Sequence, residues 1–179
     1  VTIKLIILDL DGVLVNTKDI HYQTLNKALS EIDTQYEITQ QEHLHKYDGL
    51  KTNQKLELLT EQKNLPLHYH SQIWERKQNL TISALKNLTI NAELIEMLRN
   101  LKREGYRIAC CSNSIRNTIY VTLYKLQILE YFDLILSNQD VTSPKPHPEI
   151  YWEAMSRTEV LPQETLIVED SPPRPTRCA

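Results

Sequence analysis

Residues 5–17 read LIILDLDGVLVNT. Four apolar residues, Leu5 to Leu8, run without polar alternation into Asp9 and Asp11, and Gly12 follows at once. A short unbroken apolar run is the pattern of a strand buried on both faces, as in a parallel sheet. An isolated ionised carboxylate is costly to bury, so either a cation compensates the pair or the pair is exposed.

Similar runs recur at IKLIIL (3–8), RIACC (107–111), LILS (134–137) and TLIV (165–168), and segments of helical period separate them after the first. In NAELIEMLRNLKREG, Asn91 can cap a helix, Glu93 and Glu96 lie early, Arg99, Lys102 and Arg103 lie late, and Gly105 can take the left-handed position after the end. Leu94, Ile95, Leu98 and Leu101 form its apolar stripe. A second helix is expected from about Ile115 to Leu126, and a third from Pro148, a good first helical residue. This order predicts an α/β fold with a doubly wound parallel sheet.

Residues 17–85 interrupt that order and read as helical throughout. Thr17 can cap KDIHYQTLNKALSEI, and further helices fit 39–46, 51–63 and 68–84. The expected organisation is a core of residues 1–16 and 86–171, a small helical cap over 17–85, and an irregular tail at 172–179. The two crossings between core and cap are candidate hinges.

The chain has 179 residues, 41% of them hydrophobic, enough for one core with a modest insertion. A net charge of -3 with scattered basic residues gives no footprint for nucleic acid. Cys110 and Cys111 sit in an apolar run and Cys178 in the tail, which reads as reduced thiols of a cytosolic protein. The first residues lack the pattern of a signal peptide and are too short to span a bilayer, so a cytoplasmic protein without a membrane partner is expected. The sequence carries no signature of oligomeric state.

In open parallel sheets, ligands bind beyond the carboxyl ends of the strands. The first run is followed by Asp9 and Asp11, the second by Ser112, Asn113 and Ser114, the third by the loop NQDVTSPKPHP with Lys145, and the fourth by Glu169 and Asp170. Gathered at one sheet edge, the carboxylates suit a divalent cation, and the hydroxyls, amides and ammonium suit phosphate.

Taken together, DLDGVLVNT, CSNS, SPKPHPEIY and IVEDS resemble the four ordered motifs of the haloacid dehalogenase superfamily, in its helical-cap branch of phosphatases and phosphohexomutases. The resemblance spans residues 3–171. It implies that Asp9 is a nucleophile forming an aspartyl-phosphate and that Asp11 is the general acid and base. It implies Mg²⁺ held by the Asp9 carboxylate, the Asp11 backbone carbonyl and Asp170, with Glu169 nearby or bound through water. Ser112 and the Asn113 amide would hold phosphoryl oxygens, and Lys145 would neutralise charge on Asp9 and the phosphate.

In the cap, YDGLKT (47–52) resembles a loop that sets substrate preference, making Gly49, Lys51 and Thr52 candidates, with Arg76 and Lys77 behind them. His21 has two readings, a packed histidine or a residue facing the site as in the sugar-phosphate mutases. The pairs His43/His45 and His68/His70 point to different sides of a helix and read as solvated or partly packed. After IVEDS the family pattern continues with a glycine-containing turn, a helix and further strand, whereas here PPRPTRCA follows, so a truncated C-terminus and an uncovered last strand are expected.

The expected activity is a Mg²⁺-dependent phosphatase acting on a small phosphorylated metabolite. A phosphohexomutase of the β-phosphoglucomutase kind is the nearest alternative, and an inactive remnant is another. A phospho-receiver module uses similar groups, but it places its acceptor after a middle strand and has no large helical insertion.

Overall fold

The computed structural model describes residues 2–170. Four strands, β1 (Leu5–Leu8), β2 (Arg107–Cys111), β3 (Leu134–Leu136) and β4 (Thr165–Val168), form one parallel sheet in the order β3-β2-β1-β4. The chain starts at a central strand, moves outward through β2 and β3, and returns to the other side of β1. This is the doubly wound arrangement, and a reversal point of the order lies beside the end of β1.

Between the strands run α5 (Ala92–Arg103), α6 (Arg116–Lys125) and α7 (Glu149–Thr158), and α1 to α4 precede them: Lys18–Ser30, Gln40–Glu42, Thr52–Lys63 and His70–Leu85. The described residues fold as two compact units, one of 2–16 with 89–170, the other of Thr17–Leu88.

In the sheet-bearing unit, Leu5, Ile7, Ala109, Cys111, Leu136, Ile150, Ala154 and Val160 pack into one cluster that joins β1, β2 and β3 to α7. Each fully buried leucine or isoleucine contributes on the order of 1.5–3 kcal/mol relative to exposure. Ile6, Leu8, Ile108 and Cys110 alternate onto the other face and are also buried. Cys110 and Cys111 are free thiols, and burial pushes Cys111 up to about 12, so both behave as core residues. Cys178 and the expected irregular tail lie outside the described residues.

β4 departs from the expectation of burial on both faces: Leu166, Ile167 and Val168 are 47%, 41% and 37% exposed. Their apolar character resembles that of β1, but β4 is an edge strand, hydrogen-bonded to β1 alone among the described residues. The expectation of an uncovered last strand holds there, whereas the C-terminal truncation concerns residues outside the described ones.

Cap signals hold at some helices and fail at others. The Asn91 side chain accepts from the backbone amides of Glu93 and Leu94, and Gly105 follows α5 with φ +86°. Thr17 makes no capping bond to α1; its side chain is buried instead. Pro148 precedes α7 rather than opening it.

The helical unit has its own core of Leu25, Ala28, Leu29, Tyr36, Ile38, Tyr47, Leu56, Leu59, Leu65 and Ile73. Among the described residues, no helix is long and apolar enough to cross a membrane.

Candidate active site

The ends of all four strands carry the polar residues singled out in the sequence. Asp9 directly follows β1 and its amide donates to Val168 O at 3.1 Å, which ties this acid to the end of β4. Asp9 is 9% exposed, and its Oδ1 accepts from the Leu10 amide at 2.8 Å and from Lys145 Nζ at 2.9 Å. Lys145 Nζ also donates to Glu169 Oε1. Residues 136 positions apart in the chain thus form an ion pair at the sheet edge.

One carboxylate oxygen from each of Asp9, Glu169 and Asp170 lies within 4.8 Å of the others. This is an all-oxygen, carboxylate-rich donor set of the kind that hard divalent cations take. The Asp11 side chain stands outside that set: Ser114 Oγ donates to Asp11 Oδ2 at 3.2 Å.

The electrostatics match the geometry. Burial, with Glu169 and Asp11 pushing the same way, raises the Asp9 pKa to about 7 even though Lys145 pulls it down. Burial also works against the Lys145 ammonium, but Asp9 and Glu169 outweigh it and hold its pKa above the usual lysine value. Lys145 pairs with Asp9 and Glu169, and Asp170 completes a cluster of three carboxylates around one ammonium, so a bound cation would relieve an excess of negative charge.

The turn after Asp11 is shaped around these acids. Gly12 has φ +93°, its amide donates to Val15 O at 2.7 Å, and a Cβ on it would sit 2.2 Å from Asp170 Oδ2. Glycine lets the first loop pass directly over the acid from the fourth strand end.

After β2, Ser112 is fully buried and its Oγ accepts from the Ser114 amide at 3.0 Å. The Asn113 side chain clamps the backbone of Lys145, donating to Lys145 O at 3.1 Å and accepting from Lys145 N at 3.0 Å. Asn138 Nδ2 donates to Asn113 O at 2.7 Å. The loop after β2 thereby fixes the lysine loop as well as lying beside it.

Two residues here make contacts that the sequence reading does not include: Ser114, which bonds Asp11, and Tyr151, whose hydroxyl donates to Glu169 Oε1. Both lie inside the quoted motifs CSNS and SPKPHPEIY, so position was legible while contact was not.

The cap candidates lie within the helical unit. Lys77 on α4 is 7% exposed, and its Nζ is 3.3 Å from His21 Nδ1 on α1. Gly49 has φ +74°, Lys51 precedes α3, and Thr52 opens it, its Oγ1 3.4 Å from Gln78 Nε2. Arg76 makes a two-pronged ion pair with Glu31, at 2.7 and 2.8 Å. His43 corrects the expectation of solvated or partly packed histidines: it is 2% exposed, whereas His70 bonds Thr60 Oγ1 at 2.8 Å.

The haloacid dehalogenase-like hydrolase profile matches residues 6–179. The chain is 25% identical over 179 residues to pyrophosphatase PpaX of Bacillus cereus strain B4264, covering 94% of this chain and 75% of that protein. It is 25% identical over 170 residues to a phosphorylated carbohydrates phosphatase of Thermotoga maritima, covering 93% and 76%. Among solved structures, it superposes on a β-phosphoglucomutase of Clostridium difficile with a TM-score of 0.76 at 27% identity, covering 95% and 77%. A profile match over nearly the whole chain, with four polar loops in order on one sheet edge, leads to a single assignment: the chain belongs to the haloacid dehalogenase-like hydrolases.

Proposed function

We propose that this protein is a cytoplasmic phosphatase that hydrolyses a small phosphorylated metabolite through an aspartyl-phosphate on Asp9, with Mg²⁺ in its acid cluster. The observation that carries this reading is the junction of Lys145, Asp9, Glu169 and Asp170 at the carboxyl ends of parallel strands. Relatives named for pyrophosphate and for phosphorylated carbohydrates support a small phosphorylated substrate.

In the first step an Asp9 oxygen attacks phosphorus; that O–P bond forms as the bond to the leaving oxygen breaks, and Asp11 gives its proton to the leaving oxygen. In the second step Asp11 takes a proton from water, the water oxygen bonds to phosphorus, and the Asp9 O–P bond breaks to release inorganic phosphate. The Ser114 hydroxyl bond to Asp11 Oδ2 orients that acid. Ser112 and the Asn113 amide are assigned to the phosphoryl oxygens, and Lys145 offsets charge on Asp9 and on phosphate. Asp9, Asp170 and the Asp11 carbonyl would hold Mg²⁺ with Glu169 beside them; the bound ion offsets the clustered negative charge and lets one anion approach another. Substrate preference is assigned to the helical unit, through His21, Gly49, Lys51, Thr52 and Lys77.

A phosphate-release screen over sugar phosphates, pyrophosphate and phosphoglycolate, with and without Mg²⁺, tests the reading. Asp9→Asn is expected to lose about a thousandfold or more in turnover. Release by that variant at the wild-type rate would refute the nucleophile. The 27% identity to a β-phosphoglucomutase supports a second reading, phosphoryl transfer between positions of a sugar phosphate. Isomer conversion with a bisphosphate primer, exceeding phosphate release, would favour it.

A further inference from the structure

Lys145 is seated by three groups at once. Nζ lies 2.9 Å from Asp9 Oδ1, donates to Glu169 Oε1, and stands 5.3 Å from the centroid of the Tyr151 ring. The Tyr151 hydroxyl donates to that same Oε1 oxygen. One carboxylate oxygen therefore takes two donors, one an ammonium and one a phenol, and an oxygen so engaged is a poorer ligand for a cation.

Tyr151 is suited to hold such a geometry. It lies in the first turn of α7, and its ring packs against the cluster of Leu5, Ile7, Ala109, Cys111 and Leu136, so only its hydroxyl end reaches the acids. Burial, with Glu169 close by, raises its pKa, and the phenol remains a donor. None of the steps proposed above uses this residue.

We infer that Tyr151 is a positioning residue for the cation-binding acids: its hydroxyl and ring face keep Glu169 Oε1 committed to Lys145, so that direct coordination falls to Asp9 and Asp170. Without the hydroxyl, Glu169 is held less firmly, the Lys145 charge turns toward Asp9, and the ammonium competes with the cation there. The inference rests on the proposed cation site.

Calorimetric titration of the metal-free protein with Mg²⁺ alone tests it, with no dependence on turnover. Tyr151→Phe keeps the ring and is expected to weaken Mg²⁺ binding about tenfold, as loss of an outer-shell partner does. Tyr151→Leu also removes the ring face beneath the ammonium and should weaken it further. On a Glu169→Gln background, Tyr151→Phe should cost no more than about twofold, because the hydroxyl acts through that carboxylate. A tyrosine that only fills the core would lower the melting temperature and leave the Mg²⁺ dissociation constant unchanged, which overturns the inference. Tighter binding by Tyr151→Phe overturns it too, since Glu169 would then be a direct ligand held back. A wild type that takes up no Mg²⁺ sinks the cation site itself, whereas wild type and Tyr151→Phe that bind alike sink only the role of Tyr151.

Discussion

At Gly12 two constraints meet in one residue. The backbone has φ +93°, and an added Cβ would lie 2.2 Å from Oδ2 and 2.4 Å from Cγ of Asp170. A side chain in left-handed backbone costs roughly 1–2 kcal/mol before any clash is counted. Gly12→Ala is therefore expected to lower the melting temperature by several degrees and, by displacing Asp170, to weaken Mg²⁺ uptake about tenfold or more in a thermal-shift titration. An unchanged Mg²⁺ response would show that Asp170 does not bind the ion. Glycine is scarce, three in 179 residues, so one placed right after paired acids suggests a tight turn or a close backbone approach. The group approached is one of the protein's own acids, a fact fixed by how β1 and β4 sit side by side.

Among the elements, the short α2 runs into a π-helical turn, His43–Tyr47, that changes the direction of its side chains. His43 turns inward with both ring nitrogens lacking a hydrogen-bond partner among the described residues, its ring 5.3 Å from that of Tyr22. Burial lowers its pKa to about 4, and Lys55 and His21 push the same way against Asp48 and Asp19. The unfolded chain, with histidine near 6.5, binds the proton more readily, so stability is lost as pH falls from about 6.5 toward about 4. Melting curves across that window should show wild type losing more stability than His43→Phe; parallel curves would rule out this source. Spacing alone placed His43 partly in solvent because it assumed an ordinary helical turn. The loop after β2 shows a similar gap: Asn113 was assigned by its amide, while its side chain holds the Lys145 loop through two hydrogen bonds.

On the scale of the whole molecule, the sheet-bearing unit supplies every group of the acid cluster from loops far apart in sequence. A ligand that joins those loops stabilises the folded state by mass action, about 2.7 kcal/mol when it is present at a hundred times its dissociation constant. Mg²⁺ is expected to raise the melting temperature by several degrees, and Asp170→Asn to remove most of that rise; an equal rise in both would place the ion elsewhere. The parallel sheet, the helical insertion and the order of four polar loops were all determined by the sequence alone, because apolar period, caps and glycine act locally along the chain. Only the tertiary structure decided that Tyr151 reaches Glu169 and that Lys145 joins Asp9 to it. Those contacts depend on strand order and on side-chain directions across the sheet edge, which no local pattern encodes.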